Sequence, residues 1–230
     1  MYWNDESEAD KEFKVPDDIV DLSFAIDCKS LPLDHAYALS QALQAALPWL
    51  GQDTASGVHL IHVAESGNGW FRPQETGNAL LQLSRRTRMM LRVPKTRVDD
   101  ARALDGAVLD VAGFSLAVGE GVIKPLSALS TLFARHVVMN DPTMDEEAFL
   151  EQVVGEMREL GFKRISKVLC GRAHDLHTPD SVVHTQSVMV ADLEPEMSVL
   201  LQQKGIGSHR KMGCGLFLPH KGIKAVKDTH

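Results

Sequence analysis

Alternating apolar and polar residues divide the first half of the chain into short segments. The alternation predicts strands over 19–26 and 58–65. Between them, Pro32 and Asp34 predict the start of a helix, with Asp34 as its N-cap. The apolar stripe of this helix consists of Leu39, Leu43, Leu47 and Leu50. The first quarter of the chain is therefore expected to form a strand–helix–strand unit.

The segment 79–93 predicts a hairpin with a basic tip, because two apolar runs flank Arg85, Arg86 and Arg88. A capping-box pattern from Thr96 to Asp99 predicts a short helix that stops by Gly106. Residues 108–126 are rich in strand formers and contain glycine turns.

The same pattern restarts after residue 127. A strand is predicted over 132–139, and a capping box from Thr143 to Glu146 predicts a second long helix. Its apolar stripe consists of Phe149, Val153, Met157 and Leu160, and it closes at Gly161. The remaining elements are strands over 162–170, 182–193 and 214–219, and a helix over 195–204 that begins at Pro195 and stops at Gly205.

Each half therefore has the order strand–helix–strand–strand–helix–strand, which is that of the ferredoxin-like fold. The predicted fold class is α+β, with two tandem ferredoxin-like (βαββαβ) units and a C-terminal glycine-rich loop. We expect an acidic mobile tail over 1–17, an N-terminal domain over 18–126 and a C-terminal domain over 127–230.

Composition favours a soluble cytoplasmic protein. The chain has 230 residues, of which 44% are hydrophobic and 24% charged. No apolar run approaches the roughly 18 residues that a membrane helix needs. The acidic N-terminus has no secretory h-region. Three widely spaced cysteines exclude a disulfide framework, and the absence of a CxxC pair excludes a zinc ribbon.

The charge is unevenly distributed. The net charge is −7, and residues 1–27 carry nine acidic residues and two lysines, which accounts for all of it. The rest of the chain is neutral overall but has basic clusters over 85–102 and 204–227. Local basic clusters matter more for phosphate binding than total charge does, so nucleic acid remains a possible partner.

The most specific motif spans Gly205 to Gly215. Two Gly-x-Gly pairs flank His209, Arg210 and Lys211. Glycines permit close backbone approach, successive N–H groups can form an anion nest, and the cations suit phosphate. The motif follows a helix and precedes a strand, so it is neither a dinucleotide fingerprint nor a P-loop.

This loop, in a tandem ferredoxin-like chain, resembles the RAMP superfamily of CRISPR-associated proteins. More narrowly, the sequence resembles their repeat-RNA-processing endoribonucleases of the MYXAN subtype. The resemblance rests on SLPLDHAYALSQAL (30–43), LLQLSRRTRMMLRVP (80–94) and KGIGSHRKMGCGLFLP (204–219). The acidic N-terminal tail is not part of the family pattern.

The resemblance implies an enzyme that cuts CRISPR precursor RNA within each repeat, without a metal or other cofactor. The 2′-hydroxyl attacks the adjacent phosphate and leaves a 2′,3′-cyclic phosphate and a 5′-hydroxyl. The implied partners are the repeat stem-loop, the mature guide RNA and other subunits of an effector complex.

Such chemistry needs a base, an acid and cations at the phosphate. His35 is the first catalytic candidate, because a helix N-terminus favours a neutral imidazole and the family often has a catalytic histidine there. It could instead cap the apolar stripe of the helix. Tyr37 and Lys211 are the other catalytic candidates, and Tyr37 could equally lie in the core.

The RNA-binding candidates are the arginines of the predicted hairpin and residues of the glycine-rich loop. They are Arg85, Arg86, Arg88, Arg92, Gly205, Gly207, Ser208, His209, Arg210, Gly213 and Gly215. Arginines suit the backbone of an A-form stem, which is recognised through phosphates and shape.

Other functions have weaker support. A non-catalytic RAMP subunit that holds guide RNA, or a binder of small anions at the glycine-rich loop, would use the same residues. His59 and His62 have HxxH spacing, but a strand would point them to opposite sides. Cys170, His174 and His177 lack a fourth zinc ligand, and Cys214 has no readable catalytic partners.

Overall fold

The computed structural model describes residues 13–63 and 79–220. Parts of three predicted segments lie outside the described residues: 1–12 of the acidic tail, 64–65 of the second strand, and 221–230 of the C-terminal domain.

The first unit contains seven strands and two α-helices among the described residues. They are β1 (Ile19–Asp27), β2 (Ser30–Pro32), α1 (Ala36–Ala46), β3 (Gly57–His59), β4 (Leu80–Gln82), β5 (Arg88–Pro94), α2 (Val98–Ala101), β6 (Val108–Val111) and β7 (Phe114–Lys124). Strands β3, β5, β1, β7 and β6 form one antiparallel sheet in that order, and β2 pairs with β4 in a separate ribbon.

The second unit contains four strands and two helices among the described residues. They are β8 (Leu132–Val138), α3 (Glu146–Glu159), β9 (Lys167–His177), β10 (Val182–Ala191), α4 (Pro195–Lys204) and β11 (Leu218–Pro219). The sheet order is β11-β8-β10-β9, and all three pairings are antiparallel.

Both sheets have the same topology. If β1, β3, β5 and β7 are the four main strands of the first unit, each unit has its fourth strand beside its first, followed by its third and second. This is the antiparallel arrangement that a strand–helix–strand–strand–helix–strand order produces. The predicted tandem ferredoxin-like fold is confirmed.

The helices cover their sheets with the predicted apolar stripes. Leu39, Leu43, Leu47 and Leu50 are fully or almost fully buried in the first core. Phe149, Val153 and Met157 of α3 are fully buried in the second core. Each such side chain contributes about 1.5–3 kcal/mol relative to an exposed one, so these stripes stabilise both units.

Three helix caps differ from the prediction, and that of α2 is Arg97 and not Thr96. The N-cap of α1 is His35, and Asp34 instead accepts hydrogen bonds from the main chain and ring of His177. The N-cap of α3 is Asp145, whose carboxylate accepts the N–H of Ala148. His35 makes no side-chain hydrogen bond to the helix, whereas Asp145 satisfies a free N–H at the start of α3.

The predicted hairpin over 79–93 is wrong. Its first strand, β4, pairs with β2, whereas β5 pairs with β1 and β3 in the main sheet. The basic segment between β4 and β5 is therefore a turn that crosses from one sheet to another. We call residues 83–88 the basic turn.

Two predicted strands are shorter than expected: β3 covers only Gly57–His59, and β11 only Leu218–Pro219. In the described part of the chain, no helix has the length and apolar character that a membrane crossing requires.

Candidate active site

The glycine-rich loop closes on itself at its two ends. Gly205 and Gly215 both have a positive φ of 67°, and the N–H of Ile206 donates to the carbonyl of Gly215. A Cβ on Gly215 would lie 1.8 Å from the oxygen of Ile206, which is impossible without backbone movement. The glycines are therefore required by the shape of the loop.

The main-chain amides of the four glycines already donate to protein acceptors. Gly207 donates to the carboxylate of Glu156 at 2.6 Å, and Gly215 donates to the carbonyl of His136 at 2.7 Å. The amides of Gly205 and Gly213 donate within the helix end and the loop. RNA binding by these amides stays a prediction and requires the exchange of these partners.

The two cations of the loop contact main-chain carbonyls. Arg210 donates to Ala55, Gln203 and Lys204, and Lys211 donates to Asp53 and Ser56. Burial lowers the pKa of Lys211 to about 8 and that of Arg210 to about 10. These side chains tie the second unit to the turn that precedes β3.

Ser208 and His209 lie at the exposed tip of the glycine-rich loop. The hydroxyl of Ser208 and Nδ1 of His209 are 2.7 Å apart, and His209 has a left-handed backbone with a φ of 61°. Among the residues of this loop that are predicted to contact RNA, these two have side chains that face solvent.

His35 is buried, with 2% of its surface exposed. Its Nε2 accepts the N–H of Ile61 at 3.1 Å, so the proton resides on Nδ1, which donates to the carbonyls of Pro32 and Leu33. Burial lowers the pKa of His35 and keeps the ring neutral. A catalytic role for His35 requires the ring to release one of these main-chain partners.

Tyr37 is half-buried and packs against an apolar cluster between the units that includes Ala36, Met212 and Cys214. Its predicted catalytic role and the core alternative are both compatible with this placement. Burial raises the pKa of the Cys214 thiol to about 12, which keeps it protonated and argues against a cysteine nucleophile.

Arg92, predicted to contact RNA, lies in the interior and has no exposed surface. Its guanidinium forms a bidentate pair with Asp21 and donates to the carbonyls of Gln202 and Phe217. Because these groups occupy it, Arg92 joins the two units and does not reach an RNA phosphate. The prediction placed Arg92 on a hairpin, whereas its position on a central strand buries it.

A cleft of about 920 Å³ lies between the basic turn and the second sheet. Its charged and titratable lining residues are His59, His62, Arg85, Arg86, Arg88, Arg135, His136 and His220. The predicted arginines Arg85, Arg86 and Arg88 are exposed at this cleft, which we call the interunit cleft. The positive charge and open shape fit a polyanionic substrate.

His59 and His62 both line the interunit cleft, because β3 ends at His59 and the strand pattern does not continue between them. The expectation that they face opposite sides is therefore wrong. His59 is buried, its Nε2 lies 3.3 Å from Asp21, and burial lowers its pKa. Within residues 13–63 and 79–220, no three metal-ligating side chains cluster.

Sequence reasoning missed His136. It lies on β8, lines the interunit cleft and is 8% exposed. Its Nδ1 is 2.9 Å from the hydroxyl of Thr185, and its ring packs edge-on against His174 at 5.4 Å between centroids. The apolar run LFARHVVM made this segment look like an ordinary buried strand.

Two ferredoxin-like units joined across a basic, histidine-lined cleft define a class of tandem α+β protein with a surface suited to a polyanion. The Cas6 family model, described as Cas6 Crispr, matches residues 20–222. The chain is also 34% identical over 200 residues to the CRISPR-associated endonuclease Cas6 of Myxococcus xanthus (strain DK1622), which covers 87% of this chain and 81% of that protein. The chain belongs to the Cas6 family.

Solved structures share the fold at low sequence identity. A CRISPR-associated protein Cas6 superposes with a TM-score of 0.58 at 12% identity, covering 88% of this chain and 99% of that one. The product of a Cas6-related gene from Pyrococcus furiosus superposes with a TM-score of 0.57 at 11% identity, covering 92% and 100%. These likenesses concern the arrangement of both units.

Proposed function

We propose that this protein is an endoribonuclease that cuts precursor RNA within CRISPR repeats and generates guide RNA. The observation that carries the proposal is the 34% identity, across 87% of the chain, to a protein named as a CRISPR-associated endonuclease. The interunit cleft, with Arg85, Arg86 and Arg88 exposed along it, supplies a binding surface of the matching charge.

The proposed reaction is an internal transesterification. The 2′-oxygen of one nucleotide forms a bond to the adjacent phosphorus, and the bond from phosphorus to the 5′-oxygen of the next nucleotide breaks. The products are a 2′,3′-cyclic phosphate and a 5′-hydroxyl. No water or metal enters the balance, so the protein has to supply proton transfer and a positive environment for the phosphate.

The basic turn is proposed to bind the stem of the repeat. Phosphates dominate the affinity of such contacts, and an A-form stem offers them on both strands. We include the exposed loop tip of Ser208 and His209, on the second unit, among the proposed RNA contacts. We further propose that residues 18–126 and 127–230 act as the two halves that hold the RNA between them in the cytoplasm.

The experiment is a cleavage assay with end-labelled RNA of the CRISPR repeat from the same genome, in EDTA. One cut with a cyclic-phosphate end is expected. The matched control is the same RNA with a single 2′-deoxy nucleotide at the cut position, which removes the nucleophile and should not be cut.

Two results would contradict the proposal. Cleavage of the 2′-deoxy substrate, or a strict need for added metal, would exclude the 2′-hydroxyl route. Tight binding of the repeat without any cut would leave a subunit that holds guide RNA in an effector complex.

A further inference from the structure

The carboxylate of Glu156 binds the glycine-rich loop. Glu156 lies in the last turn of α3, and its Oε2 accepts the N–H of Gly207 at 2.6 Å. Its Oε1 accepts a hydrogen bond from the side-chain amide of Gln152, one turn earlier, at 2.9 Å. A negative charge therefore lies directly on a loop whose exposed tip is among the proposed RNA contacts.

The helix itself does not favour an acidic residue at this position. Helix α3 ends at Glu159, and the macrodipole disfavours a carboxylate near the C-terminus of a helix. Glu159 also follows Glu156 by three positions, so the two like charges are neighbours on the helix surface. Hydrogen bonds from a main-chain amide to a carboxylate are among the stronger ones. The N–H of Gly207 is therefore the interaction that favours a carboxylate here.

Gly207 differs from the other three glycines of the loop in its hydrogen-bond acceptor. The amides of Gly205, Gly213 and Gly215 donate to the main-chain carbonyls of Leu201, Arg210 and His136, respectively. Such a carbonyl moves only with its backbone, whereas the side chain of Glu156 can rotate about its own bonds. Gly207 is also exposed, whereas Gly205 and Gly215 are buried. The amide of Gly207 is therefore the one whose partner can be exchanged.

Rotation of Glu156 away from Gly207 leaves no buried charge without a partner. Glu156 is half-buried, so water can hydrate its carboxylate. Gln152 stays in place on the same helix, because its amide donates to the carbonyl of Val138 at 2.9 Å and its Oε1 accepts the N–H of Asn140 at 3.0 Å. The exchange therefore avoids the penalty of an unsatisfied buried group.

The surroundings of the Gly207 amide suit a phosphate. A Cβ added to Gly207 would meet its nearest atoms, among them Oε2 of Glu156, only at 3.9 Å, so the backbone is open to a ligand. Phosphate oxygens of nucleic acids commonly accept hydrogen bonds from main-chain N–H groups. Ser208 and His209 follow in the chain, are exposed and carry further donors. A phosphate and the carboxylate would compete for this amide, because both are anions and both accept its hydrogen.

We propose that Glu156 is an internal competitor of the RNA: its carboxylate occupies the amide of Gly207 in the free protein, and one phosphate of the bound RNA replaces it. This inference rests on the proposed function and adds a residue that sets how tightly the RNA is bound. The apparent dissociation constant equals the intrinsic one divided by the fraction of protein whose amide is free. After cleavage, the return of the carboxylate to Gly207 favours release of the product.

The variant Glu156→Gln removes the charge and keeps the contact. The side-chain carbonyl of Gln can still accept the N–H of Gly207, but a neutral acceptor forms a hydrogen bond about half as strong. Glu159→Gln is the matched control, because it removes the same charge from the same turn of α3 at an exposed position. An effect of total charge on RNA affinity should appear equally in both variants.

The test uses repeat RNA with a 2′-deoxy nucleotide at the cut position and measures its dissociation constant and dissociation rate. Glu156→Gln is expected to bind this RNA about tenfold more tightly than the wild type and to release it correspondingly more slowly. Glu159→Gln should change the affinity by about twofold or less, because salt screens exposed charges. The single-turnover cleavage rate of unmodified RNA at saturating protein, and the melting temperature, should stay close to the wild-type values in both variants.

Three results would overturn this inference while the proposed function stands. Equal affinities of the wild type and Glu156→Gln would show that the carboxylate does not compete with RNA. Weaker binding by Glu156→Gln would show that Glu156 instead holds the loop in its RNA-binding shape. An equal gain in Glu159→Gln would assign the effect to total charge. If the wild type neither binds nor cuts the repeat RNA, the proposed function fails, and this inference fails with it.

Discussion

Asp21 and Arg92 face each other on adjacent strands β1 and β5 and form a bidentate ion pair in the interior, with both N–O distances at 2.9 Å. The remaining guanidinium nitrogen of Arg92 donates to the carbonyls of Gln202 and Phe217 in the second unit. The pair therefore links the centre of one sheet to the end of α4 and to the chain entering β11. It is one of the contacts that hold the two units together.

Removing Arg92 should weaken the contact between the two units and lower the free energy of unfolding. Arg92→Ala leaves the carboxylate of Asp21 buried without its partner, and breaking such a pair costs about 3–5 kcal/mol. Urea denaturation should show this decrease in unfolding free energy. The matched control is Arg86→Ala at the exposed basic turn, which should change stability by no more than about 0.5 kcal/mol. Equal effects of the two variants would show that Arg92 does not stabilise the contact between the two units.

Stability should fall as the pH drops below about 6.5. Burial lowers the pKa of both His35 and His59 below the ordinary value of 6.5. Below that value the unfolded chain binds protons that the folded chain does not, so the stabilisation is complete above about pH 6.5 and is lost toward the lower folded-state pKa. The urea midpoint at a series of pH values measures this.

Two variants identify the group responsible for this pH dependence. His35→Gln should be less stable than the wild type near neutral pH but should show a shallower decline with acid. His184→Gln, at an exposed position, should keep the wild-type decline. A decline that is identical in all three proteins would contradict the assignment to His35.

The basic turn should supply salt-dependent RNA affinity. The double variant Arg85→Ala, Arg86→Ala should weaken repeat binding and flatten the plot of log affinity against log salt by about one unit for each phosphate that is no longer neutralised. Lys124→Ala serves as the control, because it removes an exposed cation away from the basic turn. Lys124 lies opposite Asp21 of β1, whereas Arg88 lies opposite Ala25, four residues further along the same strand. An unchanged salt slope in the double variant would exclude the basic turn from the RNA interface.

Lys211 should prove to be a structural tether. Lys211→Met removes two hydrogen bonds to the carbonyls of Asp53 and Ser56, each worth about 1.5–3 kcal/mol when the donor is charged. We expect a lower melting temperature and a single-turnover rate that stays close to that of the wild type at saturating protein. A rate decrease of about 10² or more with unchanged melting would instead support the predicted catalytic role.

Two glycines of the same loop should respond differently to a methyl group. Gly215→Ala places its Cβ against the oxygen of Ile206 and should prevent the loop from closing. Gly207→Ala meets its first neighbour only at 3.9 Å and suffers mainly from its positive φ of 73°, a cost of about 1–2 kcal/mol. Thermal melting should therefore rank Gly215→Ala far below Gly207→Ala, and the reverse ranking would contradict this account.

The elements that the sequence predicts well depend on signals within one segment. The stripe from Leu39 to Leu50, Pro195 at the start of α4 and Gly161 with its φ of 98° after α3 all act on neighbouring residues. Periodicity and capping report such local preferences directly. Both helical faces were accordingly predictable.

Features that depend on a distant partner were not predictable. The pairing of Leu81 with Leu31 joins β4 to a strand far earlier in the chain, and not to the next strand. Arg92 looks like a surface arginine until Asp21 is placed opposite it. Strand β8 has an extra residue where it pairs with β10, so that Arg135 and His136 lie opposite the single residue Ser187. This β-bulge depends on the register between the two strands and leaves no trace in the periodicity.

The cations that join the two units donate mostly to main-chain oxygens. Arg92 reaches the carbonyls of Gln202 and Phe217, Arg210 reaches that of Ala55, and Lys211 reaches that of Ser56. A carbonyl is present whatever side chain the position carries. Mutational tolerance at this interface should therefore be one-sided. Replacing the side chain of Ala55 leaves its carbonyl in place, and Gln202 and Phe217 are constrained by the burial of their own side chains, whereas no other group replaces a lost donor.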